Sequence, residues 1–375
     1  MKTFAALLLL STSMLVSTAA VAQTVSFQTQ PMLQVFSTIP GRTSVPNDLN
    51  GDGLSEVLFF SPDSSRLQIG FFSLNQDESV LQRSMVRTIS ITPGYVVGAI
   101  GDLDGDSKAD LVFTSSKRDL YLWRSVGDGT FVSRFIDMYP ENWTLLGSAD
   151  MDGDGTDDLL WLNTTTCQFA YWSFKQGSRK SSATFSVDCG YQPVAIGYYA
   201  LTNRASIIWT DAAHNLVVWD SVPGGFNHSS LGSYSGSEFV YRLGGGDQGR
   251  DMSLMTASAD NTGFSQRDFI RNFSIDGKQS SWAKGTFGGG GKDSMVLSGG
   301  FMVRGQGFGG TGRVDFYLRS YTYDPLPSVW VCVPSRQGYD SYALESNTTC
   351  GQFKMDAGWV PIGSGAALGR LLGTP

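Results

Sequence analysis

Short runs of apolar residues recur along the chain and are separated by polar turns that contain glycine. In one stretch the runs are Tyr95–Ile100, Asp110–Thr114, Leu120–Arg124 and Thr130–Ile136. The next stretch repeats the series as Trp143–Ser148, Asp158–Leu162, Gln168–Ser173 and Ala183–Val187. Runs this short, bounded by turn residues, are typical of β-strands. The pattern predicts an all-β chain with four strands in each repeated unit of about 50 residues, which is the pattern of a propeller blade.

Acidic loops set the frame of the repeat. They are Asp48–Glu56, Asp102–Asp110 and Asp150–Asp158, so their starts are 54 and then 48 residues apart. A fourth block at Tyr198 keeps the surrounding apolar pattern, but Tyr198, Ala200, Thr202 and Ser206 stand where the loops have oxygen ligands. Looser copies of the frame follow near Tyr241, Met295 and Trp359.

This count of units predicts a β-propeller with seven blades, and six is the alternative because the unit near Met295 is long and poorly matched. The unit at Trp359 has room for only two strands before the C-terminus. Two further runs, Val25–Gln28 and Met32–Ser37, precede the first loop. Two strands from each end would complete one blade, close the ring and remove exposed sheet edges. The glycine-rich segment Gly285–Gly312 predicts a long loop.

The N-terminus predicts export. Lys2, the apolar run that begins at Ala5, and the small-residue site Ala20-Val21-Ala22 together form the pattern of a signal peptide over residues 1–22. No later segment approaches the roughly 20 apolar residues that a membrane-spanning helix needs. We therefore expect a single propeller domain over residues 23–375, without a transmembrane segment, that is secreted or periplasmic.

The chain contains four cysteines, at positions 167, 189, 332 and 350. In an exported protein they are expected to form disulfides, for which three connectivities exist. The pairs Cys167–Cys189 and Cys332–Cys350 are favoured because each pair flanks one predicted hairpin.

Acidic residues outnumber basic ones by 34 to 27. This balance argues against a nucleic-acid partner, which calls for a basic face. Much of the excess is local, because the three loops place eleven carboxylates at loop positions 1, 3, 5 and 9. The acidity therefore indicates metal binding.

Oxygen side chains at positions 1, 3, 5 and 9 suit Ca²⁺, which takes six to eight oxygen ligands. An EF-hand would need a glutamate at position 12 and helical flanks. Position 12 is instead Phe59, Phe113 or Trp161, within apolar strand-like runs. The second loop departs from the pattern at position 6, where Ser107 replaces the turn glycine. The alternative is a set of acidic surface turns without metal.

These loops, each followed by an apolar strand, resemble the FG-GAP and VCBS repeats of integrin-α-type propellers, which also occur in secreted bacterial proteins and some calcium-containing fungal lectins. The resemblance implies a loop between the first two strands of a blade that holds a structural calcium ion, so about three ions in all. The implied ligands are Asp48, Asn50, Asp52, the Leu54 carbonyl and Glu56; Asp102, Asp104, Asp106, the Lys108 carbonyl and Asp110; and Asp150, Asp152, Asp154, the Thr156 carbonyl and Asp158.

The sequence contains no recognisable catalytic set. Its two histidines, His214 and His228, are not in a zinc-binding motif, and no nucleophile elbow is present. Candidate ligand-stacking aromatics are Tyr191, Tyr198, Tyr199 and Tyr339. We expect a non-enzymatic module that recognises a carbohydrate or a protein surface through its loops. The alternatives are a glycan-active hydrolase or lyase with carboxylates at the central channel, and a structural component of an envelope or extracellular assembly.

Overall fold

The computed structural model describes residues 47–52, 56–61, 63–74, 81–197, 200 and 202–233, together with nine further strands between residues 238 and 362. Within these residues the chain is built from β-strands that form six four-stranded antiparallel sheets. The predicted all-β class is confirmed. The signal-peptide segment, the runs Val25–Gln28 and Met32–Ser37, Leu54, Tyr198, Tyr199 and Tyr339 lie outside the described residues.

The first sheet contains β1 (Val57–Ser61), β2 (Arg66–Leu74), β3 (Leu81–Ser90) and the C-terminal strand β24 (Val360–Ile362). The second contains β4 (Tyr95–Gly101), β5 (Asp110–Ser115), β6 (Asp119–Ser125) and β7 (Phe131–Met138). The third contains β8 (Thr144–Ala149), β9 (Asp158–Asn163), β10 (Gln168–Lys175) and β11 (Ser178–Ser186). The fourth contains β12 (Gln192–Gly197), β13 (Ser206–Thr210), β14 (Asn215–Val222) and β15 (Gly225–Ser233). The fifth contains β16 (Glu238–Gly245), β17 (Asp251–Ser258), β18 (Phe264–Asn272) and β19 (Ile275–Gly285). The sixth contains β20 (Ser294–Met302), β21 (Arg313–Ser320), β22 (Ser328–Pro334) and β23 (Thr348–Lys354).

In the second to sixth sheets, four consecutive strands pair in chain order. The first four sheets pack against one another through apolar faces, and repeated four-stranded meanders packed in this way are propeller blades. In the second and third sheets the strands agree with the predicted runs to within about two residues at most ends, a normal scatter for strand boundaries. The final strand of the third sheet is the exception, because β11 begins at Ser178 and not at Ala183.

The predicted count of seven blades is not confirmed, since the described residues form six four-stranded sheets. The difference arises at the C-terminal unit. Its strand β24 pairs antiparallel with β1, with Val360 opposite Phe60 and Ile362 opposite Leu58. It therefore supplies the first strand of the first sheet, the place that β4 and β8 hold in their own sheets. The expected closing blade with two strands from each end is replaced, in the described residues, by one with a single C-terminal strand.

The glycine-rich segment Gly285–Gly312 is not one long loop, because β20 occupies Ser294–Met302 within it. Two adjacent glycines, Gly299 and Gly300, lie inside this strand and pair with Phe316 and Asp315. The pairing of backbone groups outweighs the poor strand propensity of glycine here.

Apolar side chains fill the spaces between adjacent sheets. One cluster, including Leu58 and Leu111, lies between the first and second sheets, and another, including Val112 and Trp161, lies between the second and third. A third, including Leu160 and Trp209, lies between the third and fourth. Because side chains alternate along a strand, successive residues of β5 and β9 pack on opposite neighbouring sheets.

Position 12 of the repeat is a core position. Phe113, Trp161 and Trp209 stand there in successive sheets, and each is at most 1% exposed. Each packs toward the preceding sheet. An EF-hand would place a metal-binding glutamate at this position, so the burial of these rings supports the exclusion of that motif.

Cys167 and Cys189 form the predicted disulfide, which links the turn between β9 and β10 to the chain after β11. Cys332 and Cys350 stand directly opposite each other in the β22–β23 ladder. Directly opposite positions in an antiparallel pair have Cα separations that a disulfide can span, so this second bond stays a prediction with a suitable backbone register. Across the described residues, no helix has the length and apolar character required to cross a membrane.

Candidate metal centre

The second and third acidic loops each connect the first and second strands of a sheet, and the first loop leads directly into β1. In all three, the carboxylate at position 1 accepts a hydrogen bond from the glycine N–H at position 4. The three pairs are Gly51 N to Asp48 Oδ1 (2.6 Å), Gly105 N to Asp102 Oδ1 (2.7 Å) and Gly153 N to Asp150 Oδ1 (2.6 Å). All three glycines have φ near +80°, a conformation that side-chain-bearing residues rarely adopt.

The carboxylate at position 9 closes each loop. It accepts a hydrogen bond from the N–H at position 2, and the pairs are Leu49 N to Glu56 Oε2 (2.5 Å), Leu103 N to Asp110 Oδ2 (3.3 Å) and Met151 N to Asp158 Oδ2 (2.9 Å). Glu56, Asp110 and Asp158 are fully buried. The described parts of the three loops therefore share these two hydrogen bonds, and in the third loop carboxylate oxygens of Asp150 and Asp158, at positions 1 and 9, lie within 4.8 Å of each other.

Two groups of carboxylates form in these loops. Carboxylate oxygens of Asp102, Asp104 and Asp106 lie within 4.8 Å of one another, as do those of Asp150, Asp152 and Asp158. In the first loop the Asn50 amide donates to Asp52 and to Glu56, at 3.1 and 3.2 Å. The structure thus groups the predicted ligands at positions 1, 3 and 5 of the second loop and at positions 1, 3 and 9 of the third. The predicted ligands Asp110 and Asp154 are not in these groups, and the Leu54 carbonyl lies outside the described residues.

One oxygen of the third loop identifies what these clusters can hold. Asp158 Oδ1 is buried and has no hydrogen-bond partner, although Asp158 Oδ2 is bonded to Met151 N–H. A buried carboxylate oxygen without a partner is costly unless a cation or a proton satisfies it. Since the neighbouring groups are further carboxylates, the donor set fits a hard divalent cation such as Ca²⁺.

The electrostatics of the metal-free loops agree with this fit. Burial raises the pKa of Glu56 to about 9 and, together with the nearby Asp157 charge, raises the pKa of Asp102 to about 7. Burial also raises the pKa of Asp110 to about 8 and holds the pKa of Asp158 well above its usual range. Without a cation these carboxyl groups would hold protons near neutral pH, and a bound cation would favour their charged form.

The pKa shifts predict opposite pH dependences for the metal-free and calcium-loaded protein. Raised acid pKa values mean that the folded metal-free state holds protons that the unfolded state, with pKa values of about 4, has released. Its stability therefore falls as pH rises from about 4 towards the folded values of about 7 to 9. Calcium binding strengthens over the same range because its ligands must be deprotonated. We expect the melting temperatures of resin-stripped and calcium-loaded protein to be close at pH 5 and widely separated at pH 8; equal separations at both pH values would contradict this.

Main-chain hydrogen bonds join the loops in series. The N–H at position 8 of each loop donates to the carbonyl at position 1 of the preceding loop. The pairs are Ala109–Asp48 (2.6 Å), Asp157–Asp102 (2.7 Å) and Ala205–Asp150 (2.7 Å). The last bond comes from the fourth block, which retains this link without the ligands. A cation that holds one loop in place therefore also holds its position-1 carbonyl, which accepts the hydrogen bond from the next unit.

The carbonyl at position 2 makes a second bond to the following sheet. The Leu49 carbonyl accepts a hydrogen bond from the Ser125 hydroxyl. The Leu103 carbonyl accepts one from the Gly177 N–H (3.0 Å), and the Met151 carbonyl accepts one from the Ser221 hydroxyl (2.6 Å). Asp157 adds a further link, since its Oδ2 accepts from Asp102 N–H at 2.9 Å. The loops are thus junctions between sheets as well as candidate metal sites.

Position 7 of each unit packs over the position-4 glycine of the preceding loop. A methyl group at Gly51 would lie 3.3 Å from Lys108 Cγ, and one at Gly153 would lie 3.0 Å from Arg204 Cγ. Over Gly105 the corresponding residue is Thr156, whose Oγ1 would be 3.5 Å away. The first and third loops therefore have a long basic side chain across them, whereas the second has a short hydroxyl.

Beside the second loop a cleft of about 490 Å³ opens between the second sheet and the β10–β11 turn. Asp104, Gly105 and Asp106 line one side. The remaining walls are formed by Leu122, Arg124, Val132, Arg134, Gln176 and Gly177. A second cavity of about 340 Å³ lies in front of β4–β6 and is lined mainly by aromatic residues, among them Tyr95, Tyr121 and Trp123.

Ser107 has φ +71°, so the serine at position 6 adopts the left-handed conformation that Gly155 supplies in the third loop. A side chain in this conformation costs about 1–2 kcal/mol. A Ser107→Gly variant removes this cost, but the greater conformational freedom of glycine in the unfolded chain offsets part of the stability that is gained. We predict that Ser107→Gly raises stability by up to about 1 kcal/mol in urea unfolding. A loss of stability would show that the serine hydroxyl contributes more than its backbone strain costs.

The remaining sequence candidates lie away from the loops. His214 is in the turn before β14, with φ +61°, and His228 stacks on Trp219 with ring centroids 4.4 Å apart. Tyr191 packs against the cluster between the third and fourth sheets. None of these three residues contributes to the acidic clusters found in the described chain.

Sequence reasoning missed the residues that join the loops to their neighbours, notably Asp157, Thr156 and Arg134. Asp157 carried one signal, since it is an acidic residue of the third loop outside the ligand positions. Thr156 could have been recognised by aligning position 7 of the units, where Lys108 and Arg204 are both basic. Arg134 carried no such signal, because its place beside Gly177 depends on how two sheets pack.

Comparisons with known proteins agree with the loop geometry. The family model described as an FG-GAP-like repeat matches residues 102–161. No match to a curated protein was found. Similar solved structures include AofleA from Arthrobotrys oligospora, with 10% identity, 90% of this chain and 99% of that chain covered, and a TM-score of 0.47. A putative 6-phosphogluconolactonase from Bacteroides fragilis has 9% identity, 88% and 86% coverage and a TM-score of 0.46. An oligogalacturonate lyase in complex with manganese has 10% identity, 72% coverage of each chain and a TM-score of 0.40. Residues 102–161, which contain the whole of the second and third loops, therefore match an FG-GAP-like repeat.

Proposed function

We propose that the protein is an exported, calcium-stabilised β-propeller that binds a carbohydrate or a protein surface and has no catalytic role. In this proposal the six sheets form a ring closed by the β1–β24 pair, and about three Ca²⁺ ions join the first four sheets. The observation that carries the metal part is the buried, unpartnered Asp158 Oδ1 beside the Asp150 and Asp152 carboxylates.

Calcium would be held by side chains at positions 1, 3, 5 and 9 and by the carbonyl at position 7. Bound there, the cation supplies fixed positive charge that neutralises the crowded carboxylates. The protein's own contribution is to connect each loop to the next sheet through the carbonyls at positions 1 and 2. Calcium therefore has a structural role in this proposal, and ligand recognition belongs to the spaces between sheets.

The binding role is supported by the two cavities between neighbouring parts of the propeller. One is lined by the second loop and two arginines, and the other by aromatic rings that could stack on an apolar ligand face. The carboxylates that come together in the described residues are those of the calcium loops. Carboxylates that bind a metal are poorly suited to proton transfer because the cation favours their charged form.

Export is supported by the Cys167–Cys189 disulfide, which is typical of an oxidising compartment. The N-terminal signal pattern adds to this, with residues 1–22 removed in the mature protein. Under this proposal the folded protein acts in the periplasm or outside the cell, where calcium is available to weak extracellular sites.

A glycan array probed in calcium buffer tests the proposed function. We expect saturable binding to a subset of glycans that is lost in chelator, with no product released from those glycans on prolonged incubation. Product release would instead favour the glycan-active hydrolase or lyase. Binding that is absent with calcium would contradict carbohydrate recognition and leave a structural assembly role as the better explanation.

A further inference from the structure

We propose that the cleft beside the second loop, hereafter the Arg124–Arg134 cleft, binds a carboxylate-bearing sugar in a calcium-dependent manner. This inference rests on the proposed function and assigns it a place and a ligand class. The cleft lies between the second sheet and the β10–β11 turn, and has a volume of about 490 Å³. That is within the usual range for small-ligand sites.

The residue that lies over the position-4 glycine of the second loop differs in kind from those over the first and third loops. Over the first loop Lys108 covers Gly51, and over the third loop Arg204 covers Gly153. Thr156 takes this place over the second loop and is too short to extend across Gly105. The following unit thus places a long basic side chain over the glycine of the first loop and of the third loop. It places none over Gly105 of the second loop, so the space beside Gly105 is not filled by such a side chain.

Two arginines of the second sheet give the cleft its anion-binding chemistry. The Arg124 side chain is 51% exposed, and its Nη1 lies 3.7 Å from Asp104 Oδ2. Arg134 is exposed on β7, and its Nη2 donates to the Gly177 carbonyl and to Ser178 Oγ (3.0 Å). These contacts hold both guanidinium groups at the cleft wall. A guanidinium group carries five N–H donors in a planar fork that matches a carboxylate.

Binding of an anion in the Arg124–Arg134 cleft depends on calcium in the second loop. Without the ion, the carboxylates of Asp104 and Asp106 line the cleft. Asp106 is paired with Lys108 Nζ at 2.7 Å and Asp104 with Arg124, so the positive charge available to a ligand carboxylate is offset by the negative charge of these two groups. Calcium bound to the second loop would neutralise part of this charge, so that the two arginines dominate the field within the cleft. Calcium that retains open coordination positions also accepts hydroxyl oxygens. The apolar side chain of Val132, which is 52% exposed, offers a surface for the C–H face of a sugar ring.

The inference is tested by titrating the full-length protein with sodium glucuronate, glucose or acetate, with ligand-observed NMR as the readout. In calcium buffer we expect glucuronate to bind at least about 10-fold more tightly than glucose or acetate, since a charge-assisted hydrogen bond contributes 1.5–3 kcal/mol. Calcium removal should abolish the difference. Equal binding of acetate would overturn the sugar assignment, and equal binding of glucose would overturn the carboxylate assignment.

Variants locate the site. Arg124→Ala and Arg134→Ala should each weaken glucuronate binding about 10-fold or more. Thr156→Arg should abolish it by placing across Gly105 the kind of side chain that Arg204 places across Gly153. Arg66→Ala, which removes an exposed arginine from the first sheet, is the matched control and should bind as the parent does. Calcium content and melting temperature are measured for every variant, so that a folding defect is recognised.

The outcomes separate this inference from the proposed function. If the glycan array shows calcium-dependent binding while all three cleft variants retain it, the protein is a binding module but the Arg124–Arg134 cleft is not its site. If neither the array nor glucuronate gives binding in calcium, this inference and the carbohydrate part of the proposed function are both overturned, and recognition of a protein surface is what remains of that function. If Thr156→Arg and the two alanine variants lose glucuronate binding but keep calcium and thermal stability, the inference is supported.

Discussion

Removal of calcium is expected to lower the melting temperature of this protein by on the order of 10 °C. A site occupied at 100 times its dissociation constant stabilises the folded state by about 2.7 kcal/mol. With an unfolding entropy of about 2.1 cal/mol/K per residue, a change of 1 kcal/mol shifts the melting temperature of a domain of about 350 residues by roughly 1–2 °C. Three loops would contribute together because the position-1 carbonyls of Asp48, Asp102 and Asp150 each accept a bond from the next unit. Loss of the ions would loosen these junctions as well as the loops.

The measurement is thermal unfolding of resin-stripped protein at pH 7.5 with calcium added back in steps. The melting temperature should rise with the logarithm of the free calcium concentration once the sites are filled. The Cys167–Cys189 disulfide remains intact throughout and serves as an internal reference for the oxidised fold. An unchanged melting temperature would show that the loops contribute no metal-dependent stability.

Asp158→Asn is expected to have opposite effects with and without calcium. With calcium the variant loses a buried ligand of the third loop and should unfold about 3–5 °C lower, the effect of losing roughly one site. In stripped protein the variant should be at least as stable as the parent. The asparagine oxygen still accepts the Met151 N–H bond, while the variant lacks the carboxyl group whose burial holds the pKa of Asp158 well above its usual range, so the metal-free fold no longer has to bury an ionised group or keep it protonated.

The control for this reversal is Asp63→Asn, since Asp63 is exposed and lies outside the loops. It should shift neither melting temperature by more than about 1–2 °C, as expected for surface substitutions. If Asp158→Asn lowers stability equally with and without calcium, Asp158 contributes through packing and hydrogen bonding alone. That result would remove the main support for a cation in the third loop.

The strands and loops of the second and third sheets could be predicted from the sequence because their signals are local. Short runs of consecutive apolar residues define β5 and β9, and the ligand spacing defines the loops that precede them. The closing arrangement could not be predicted in the same way. The unit at Trp359 has the pattern of a first strand, and only tertiary pairing shows that β24 joins β1.

The Arg124–Arg134 cleft lay beyond sequence reasoning for a related reason. The three loops look alike in sequence, and the second differs visibly only at Ser107. What distinguishes it is the side chain that the next unit places over its glycine. That effect of Thr156 depends on a contact between residues in different sheets, which the local spacing of the motif does not contain.

The central claim is that these loops are calcium sites. The most direct test is elemental analysis of the purified protein, stripped with chelating resin, reloaded with calcium and dialysed, alongside Asp158→Asn. The account predicts about three Ca²⁺ per chain for the parent and about one fewer for the variant. Calcium content indistinguishable from zero in the reloaded parent would contradict it.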